Sequence, residues 1–385
     1  MQSLFPSNRI AVLDGGFGTT LESTFQFDIS NTPLWSAKAV VEQPDVIVQA
    51  HLAFLRAGSD IILTSTYQCS YRTFERAGYS TEEAKSIFIR SIELAIQARD
   101  RFQEEDKSGR KIRIALSLGP FGASLTPAQE FDGFYPPPFG PAGYTPDGKN
   151  INSFEDNDQG HQLEKQATEA LTEFHLQRLL ILFEARGLWE KVDCIAFETV
   201  PILREIKAIR EAMGMLSERA ASVGLERKPW WVSMVFPDGK FPQVLRDDSR
   251  LSVRDVVRAV LELDGGNIST SPAAFGINCT SIEYISILVS EMSAAVKDVC
   301  GEIETDNGDD RPWLVVYPNG GDIYDPITQT WKVADGDQLD KKDAWVKTLG
   351  QITSRHDDSW GGYIVGGCCR TGPGHIEILR RAVKN

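Results

Sequence analysis

The sequence lacks the uncharged apolar run of about 18 residues that a membrane-spanning helix requires. Its N-terminal stretch, MQSLFPSNRIAVLDGG, also lacks the apolar core of a secretory signal. Neither membrane insertion nor secretion is therefore expected, and we expect a cytoplasmic protein.

Basic residues are scarce relative to acidic ones. The 385 residues include 40 Lys and Arg against 54 Asp and Glu, which gives a formal net charge of −14. This charge repels the phosphate groups of nucleic acids and of anionic lipids. We therefore expect neither nucleic acid nor a membrane surface as a partner, and the sequence leaves the oligomeric state open.

Cysteines are also few. Six in the whole chain are too few for a secreted disulfide scaffold of this length. In a reducing compartment they remain thiols, so a cysteine with a special role is a metal ligand or a nucleophile. We expect Cys69, Cys194 and Cys300 to be small core residues. The five histidines form no metal-binding pair, and we expect all of them to be structural, with His375 at the start of the last helix.

Eight short apolar runs alternate with helical patterns along the chain. This alternation predicts βαβ units and a parallel sheet, and eight strands are the number that a (β/α)₈ TIM barrel needs. A doubly wound open sheet uses the same alternation and is the alternative. We predict a single barrel domain over residues 1–385, with strands IAVLDGG, DIILTST, IRIALSLGP, CIAFETV, PWWVSMVF, AFGINCT, WLVVYPN and YIVGGCC.

Amphipathic patterns predict the helices between the strands. One helix is expected to begin at Pro44 and to end before Gly58, and the next to open with Thr81 as its cap. Two connections, 127–160 and 320–340, are longer than the others and follow the third and seventh strands. In a barrel such connections lie on the catalytic face, so we interpret both as lids.

Polar residues follow the apolar part of most predicted strands, and in a parallel barrel these positions face the mouth. Glu198 ends an otherwise apolar strand, where a carboxylate needs a cationic partner, and together with Asp14 it suits a substrate ammonium group. Asp14 is alternatively a turn former. The residues at the predicted mouth are Asp14 to Gly16, Thr64 to Gln68, Glu198 and Thr199, Asn278 and Cys279, Tyr317 to Asn319, and Gly366 to Cys369.

Three cysteines fall at the ends of strands six and eight, which a closed barrel brings near each other. Three thiolates around a tetrahedral zinc leave one position open, as in a catalytic site. Cys368 and Cys369 can share one ion only if the strand ends between them, and the preceding glycines permit that turn. The open alternatives are buried core cysteines, a vicinal disulfide between Cys368 and Cys369, and a phosphate cradle at VGG.

Six segments together resemble the homocysteine S-methyltransferase family, and the resemblance covers nearly the whole chain. The TYQCS and EFDGFY stretches are similar to the branch that uses S-methylmethionine or S-adenosylmethionine. The chain has YPNGGD where that family has YPNSGE, and this difference bears on donor recognition. The segments are DGGFGTTLE, TSTYQCS, FETVP, GINCT, YPN and GGCCRTGPGHI.

The resemblance implies an enzyme that transfers a methyl group from a sulfonium donor to homocysteine and thereby makes methionine. It implies one Zn²⁺ per chain, bound by Cys279, Cys368 and Cys369. A betaine-type or other thiol methyltransferase of the same superfamily is the alternative, and a metal-free phosphate-binding barrel enzyme is a more distant one.

The resemblance also implies the substrate contacts. Asp14 and Glu198 are expected to bind the amino group of homocysteine, while Gly15, Gln68 and Asn278 complete the pocket. The connection 127–160 is expected to offer aromatic faces to the sulfonium group through cation–π attraction. Its alternative is a surface loop whose aromatic residues pack locally. The aromatic residues are Phe131, Phe134, Tyr135, Phe139 and Tyr144.

Overall fold

Ten strands are found among the described residues of this computed structural model, and eight of them form one sheet. The eight are β1 (Ile10–Val12), β2 (Ile61–Leu63), β3 (Arg113–Leu118), β4 (Cys194–Val200), β5 (Trp230–Met234), β6 (Ala274–Asn278), β7 (Trp313–Tyr317) and β10 (Tyr363–Val365). The structure describes residues 9–29, 32, 34, 36–262, 270–302, 311–321, 323–325, 330–332, 338–355 and 357–384.

The eight strands run parallel and close into a barrel. Their order is β1-β10-β7-β6-β5-β4-β3-β2, so β1 and β2 stand at the two ends of the hydrogen-bonded series. A parallel bridge between Leu13 and Ile61 joins those ends. The predicted (β/α)₈ barrel is therefore confirmed, and the open doubly wound sheet is excluded.

Helices surround the barrel between successive strands. They are α1 (Phe17–Ser23), α2 (Ser36–Glu42), α3 (Pro44–Ala57), α4 (Tyr71–Arg76), α5 (Thr81–Glu105), α6 (Asp158–Glu184), α7 (Arg186–Trp189), α8 (Leu203–Ser222), α9 (Val253–Leu261), α10 (Ile282–Glu302), α11 (Gln338–Ser354) and α12 (Pro373–Lys384). A 3₁₀ turn covers Phe121–Ser124. No helix within the described ranges is both long and apolar enough to cross a bilayer.

The sequence signals locate helix ends closely but not always to the residue. Gly58 follows α3 with φ of 116°, a left-handed conformation that glycine adopts without strain. The predicted cap Thr81 is wrong by one position, because Ser80 caps α5. The Ser80 hydroxyl accepts from the Glu83 amide, and the Glu83 carboxylate accepts from the Ser80 amide.

Two apolar cores hold the barrel together. The smaller one fills the interior with side chains from alternate strand positions and includes Cys194. The larger one lies between strands and helices and includes Cys69. Both cysteines are buried, as predicted, whereas Cys300 is only partly buried. Among the histidines, His375 lies at the start of α12 as expected, and His356 lies outside the described residues.

The two long connections differ in structure. Residues 127–157 form an irregular segment between the 3₁₀ turn and α6. The second connection contains an antiparallel hairpin of β8 (Ile323–Asp325) and β9 (Thr330–Lys332). Parts of the predicted 320–340 lid lie outside the described residues.

Candidate functional site

A cavity of about 150 Å³ opens where the carboxyl ends of the strands meet. Seven of the eight residues predicted for the site line it: Gly15, Gln68, Glu198, Asn278, Cys279, Cys368 and Cys369. The eighth, Asp14, is fully buried next to Gly15. The structure therefore brings strand ends that are far apart in sequence to one site.

The three predicted thiols form one cluster. The Sγ atoms of Cys279, Cys368 and Cys369 all lie within 4.8 Å of one another. Those of Cys279 and Cys368 are in direct contact, with Cα atoms 5.5 Å apart. The contact joins β6 to β10 and does not involve the vicinal pair, so it gives no support to the vicinal disulfide.

The backbone at the cluster explains how adjacent cysteines face one point. The expected strand break between them is wrong, because β10 already ends at Val365. Cys368 instead begins a turn in which its carbonyl accepts from the Thr371 amide at 3.2 Å. A Cβ on Gly367 would lie 2.1 Å from Thr371 Oγ1, so this turn requires glycine there. Cys279 has φ of 49°, a conformation that is uncommon outside functional sites.

The chemistry of this cluster fits a soft or borderline cation. Burial raises the pKa of the Cys369 thiol to about 12, and the charges of Glu130 and Glu198 add to the effect. Without a cation this thiol therefore stays protonated at neutral pH. Three convergent sulfur donors are a ligand set that zinc accepts.

Glu198 is held in a defined orientation beside the cluster. Only 5% of it is exposed, and its Oε1 accepts from the Ser117 hydroxyl. Tyr317 also donates to this carboxylate. Burial raises the pKa of Glu198 to about 7, and these two hydrogen bonds oppose the rise. The Tyr317 hydroxyl lies 2.5 Å from Ser233 Oγ, which fixes its position in turn.

Asp14 offers a buried acceptor that has no donor. Its Oδ2 accepts from the Leu63 amide at 2.9 Å. Its Oδ1 is buried and has no hydrogen-bond partner among the described residues. Burial, with the charge of Glu198 as a further cause, raises the pKa of Asp14 well above its usual value. A bound cation would satisfy the free oxygen and restore the charged state.

Asn278 supports the neighbouring strand. Its Oδ1 accepts from the Thr199 amide and its Nδ2 donates to Thr199 Oγ1, both at 2.8 Å. Thr199 has φ of 62°, and the pairing of β4 with β5 shifts register between Phe197 and Val200. Asn278 thus stabilises an irregularity that directs Glu198 into the cavity.

Ser117 and Glu130 at this cavity were not predicted for the site, whereas Tyr67 and Tyr317 were predicted for the barrel mouth without a role. Ser117 and Tyr317 orient Glu198, and Tyr67, Glu130 and Phe131 complete the wall. The sequence signal for Glu130 and Phe131 is the EFDGFY stretch, which was quoted for its family resemblance without a role for its acidic residue.

The connection after β3 packs as a fixed wall along most of its length. The Tyr135 hydroxyl donates to Glu205 at 2.7 Å, and Phe139 stacks on Phe121 with ring centroids 3.9 Å apart. Arg204 Nη1 donates to the Asn152 carbonyl at 2.7 Å. Of the five aromatic residues that were expected at the donor site, Phe131 lines the described cavity. Tyr135 and Phe139 belong to a separate apolar cluster.

Tyr135→Phe is expected to lower the free energy of unfolding by about 1 to 3 kcal/mol, because Glu205 keeps its burial and loses a donor. Urea unfolding of the substituted and wild-type proteins measures this change. Tyr144→Phe is the control, with an expected change below about 0.5 kcal/mol. Steady-state kinetics should be unchanged in both, and a large fall in kcat with unchanged stability would contradict the fixed wall.

Known proteins resemble this chain over nearly its whole length. A family model described as homocysteine S-methyltransferase matches residues 11–383. Homocysteine S-methyltransferase 1 of Arabidopsis thaliana is 30% identical over 379 residues, which cover 97% of this chain and 93% of that protein. Selenocysteine Se-methyltransferase of Brassica oleracea var. italica is 30% identical over 383 residues, which cover 96% of this chain and 88% of that one.

A solved structure agrees with these relatives. The metallated form of the homocysteine methyltransferase MmuM from Escherichia coli is 26% identical, with a TM-score of 0.61, and the match covers 97% of this chain and 96% of that one. The match to the family model spans the barrel strands and the thiol cluster alike. The chain is therefore a methyltransferase and belongs to the homocysteine S-methyltransferase family.

Proposed function

We propose that this protein transfers a methyl group from a sulfonium donor to the sulfur of homocysteine, which produces methionine. The observation that carries the proposal is the convergence of three thiols and two buried carboxylates at one cavity. Such a cavity offers ligands for a metal beside acceptors for an amino group.

Cys279, Cys368 and Cys369 would hold one zinc ion per chain. When bound, the zinc lowers the pKa of a substrate thiol so that a nucleophilic sulfur is available at neutral pH. Cys279 is buried, and Cys368 and Cys369 are only partly buried, so the cluster remains open to a substrate from the cavity. The metallated form of MmuM supports the presence of a metal in a member of this family.

Asp14 and Glu198 would bind the ammonium group of homocysteine. Glu198 presents a carboxylate oriented by Ser117 and Tyr317, and Asp14 presents the oxygen that has no donor. Charge-assisted hydrogen bonds of this kind are stronger than neutral ones. Gly15, Gln68 and Asn278 would complete the acceptor pocket, with Asn278 acting through the backbone of Thr199.

The charge of the cavity favours a cationic donor. Its described lining includes Glu130 and Glu198 and contains no Lys, Arg or His. A sulfonium group is positively charged, so this cavity attracts it, and Phe131 offers an aromatic face nearby. The same charge pattern opposes the phosphate-binding alternative. A cytoplasmic location fits the proposal, because a reducing compartment keeps the three thiols free.

The test is methyl transfer to homocysteine by the reduced, zinc-loaded protein. S-Methylmethionine, S-adenosylmethionine and betaine are supplied in parallel, and methionine is quantified by mass spectrometry. We expect methionine from at least one sulfonium donor and none from betaine. Absence of methionine with both sulfonium donors would overturn the proposal, and betaine use would replace it with the betaine-type alternative.

A further inference from the structure

A third carboxylate faces the cavity and has no assigned partner. Glu130 lines the cavity wall, and its Oε2 is buried with no hydrogen-bond partner among the described residues. Burial raises the pKa of Glu130 to about 7, and the charge of Asp132 contributes. Because the described lining contains no Lys, Arg or His, a cationic group on a bound molecule would be the partner that keeps Glu130 charged at neutral pH.

The backbone that carries Glu130 is held firmly in place. The Gln129 amide donates to the Gly122 carbonyl at 3.0 Å, and the Gly133 amide donates to the Gln129 carbonyl at 2.9 Å. A Cβ on Gly122 would lie 2.5 Å from the Gln129 carbonyl carbon, so the close approach of the two segments depends on glycine. Only 4% of Gln129 is exposed. These contacts hold the backbone of Glu130 in a defined position at the cavity wall.

Glu130 lies close to the thiol cluster. Its negative charge is among the causes that raise the pKa of Tyr67 and of Cys369. The pKa of Asp14 is raised by burial and by the charge of Glu198. The pKa of Glu130 is raised by burial and by the charge of Asp132. Glu198 and Glu130 thus line the cavity at separate places, with Asp14 buried behind the lining on the side of Glu198.

Under the proposed function, two positively charged groups, one from each substrate, have to be bound at this site during turnover. Homocysteine carries an ammonium group, for which Asp14 and Glu198 suffice. The donor brings a sulfonium charge that must approach the sulfur of homocysteine near the thiol cluster. Resting on the proposed function, we propose that the Glu130 carboxylate binds the sulfonium charge of the methyl donor and thereby selects cationic donors.

The reaction determines which kinetic constant depends on Glu130. The thiolate of homocysteine supplies the electron pair of the new S–CH₃ bond. The pair of the breaking bond returns to the donor sulfur, which becomes a neutral thioether. The donor loses its charge on the way to the transition state, so Glu130 stabilises the bound donor more than the transition state. Its removal should therefore raise the donor KM without lowering kcat.

The test is Glu130→Gln in the zinc-loaded enzyme with S-methylmethionine as donor. We expect the donor KM to rise about 10- to 100-fold, with kcat unchanged or higher and the homocysteine KM within about twofold of wild type. The dissociation constant of S-methylmethionine without homocysteine, from isothermal titration calorimetry, should rise by the same factor. Glu130→Asp keeps the charge and should recover most of the affinity if the charge itself is what binds.

The matched control is Asp147→Asn, which removes one charge from an exposed position of the same connection outside the cavity lining. It should leave the donor KM within about twofold of wild type. Three results would overturn the inference: an unchanged donor KM in Glu130→Gln, a fall in kcat alone, or an equal effect in Asp147→Asn. Inactivity of the wild-type enzyme with every sulfonium donor would instead overturn the proposed function.

Discussion

Replacement of Cys369 by serine is expected to remove the bound metal and to slow methionine formation by roughly 1,000-fold or more. The Sγ atom of Cys369 lies within 4.8 Å of the Sγ atoms of Cys279 and Cys368. The serine hydroxyl that would replace this thiol is a weak ligand for zinc. Cys279→Ser and Cys368→Ser should give the same result. Metal content is measured by inductively coupled plasma mass spectrometry. Activity is measured as methionine formation from S-methylmethionine and homocysteine.

Cys300→Ser is the matched control for these three variants, because Cys300 is partly buried on α10 away from the cavity. It should retain about one zinc per chain and wild-type activity. A chelator should inactivate wild type reversibly, with recovery on adding zinc. Full activity of a metal-free Cys369→Ser protein would refute the proposed role of the cluster.

Glu198→Gln is expected to lower kcat/KM for homocysteine about 10- to 100-fold while the metal stays bound. The amide cannot supply the charge that binds an ammonium group, although it retains the shape that Ser117 and Tyr317 hold in place. Asp14→Asn should act in the same direction. Steady-state kinetics at a saturating donor concentration measure kcat/KM for homocysteine. Metal analysis of the same variants should show that zinc is retained.

Glu130→Gln is the matched control, since it makes the same chemical change in the same cavity and should spare the homocysteine KM. Normal homocysteine kinetics in both Glu198→Gln and Asp14→Asn would reject their assignment to the amino group.

The raised pKa of Glu198 allows a further test of its role in binding the ammonium group. A carboxyl with a pKa of about 7 is charged above that pH and neutral below it, so ammonium binding should weaken as pH falls. Methionine is a suitable probe because its thioether carries no proton that titrates. Its inhibition constant should rise between about pH 8 and about pH 6 in wild type. Glu198→Gln should reduce that dependence.

The barrel was predictable because each of its strands is buried on both faces. Such strands appear in the sequence as short, nearly continuous apolar runs, and all eight predicted runs contain a strand. The short helices Phe17–Ser23, Ser36–Glu42 and Tyr71–Arg76 were not predicted. One or two turns are too short to show a helical period, and their stability comes from packing against the longer helices.

The site was predictable where a residue directly ends a strand, because the barrel brings all strand ends to one mouth. Gly15, Glu198 and Asn278 were found in this way. Ser117 was not, since its importance follows from the register that sets it opposite Ala196, close to Glu198. Glu130 was not predicted, because its position depends on how the connection after β3 packs against Gly122.

The thiol cluster also determines when this enzyme can mature during its biosynthesis. Cys279 is translated 89 residues before Cys368, so a growing chain carries one thiol of the cluster without its partners. The Gly16 amide donates to Thr371 Oγ1, which is 355 residues further along the chain. The loop after β1 can therefore make this hydrogen bond only after the segment that follows β10 has been synthesised. A ribosome-bound chain that stops before Cys368 therefore has no metal site at all. Under the proposed function, zinc is incorporated only after the barrel has closed, so a molecule that carries the metal has completed its fold.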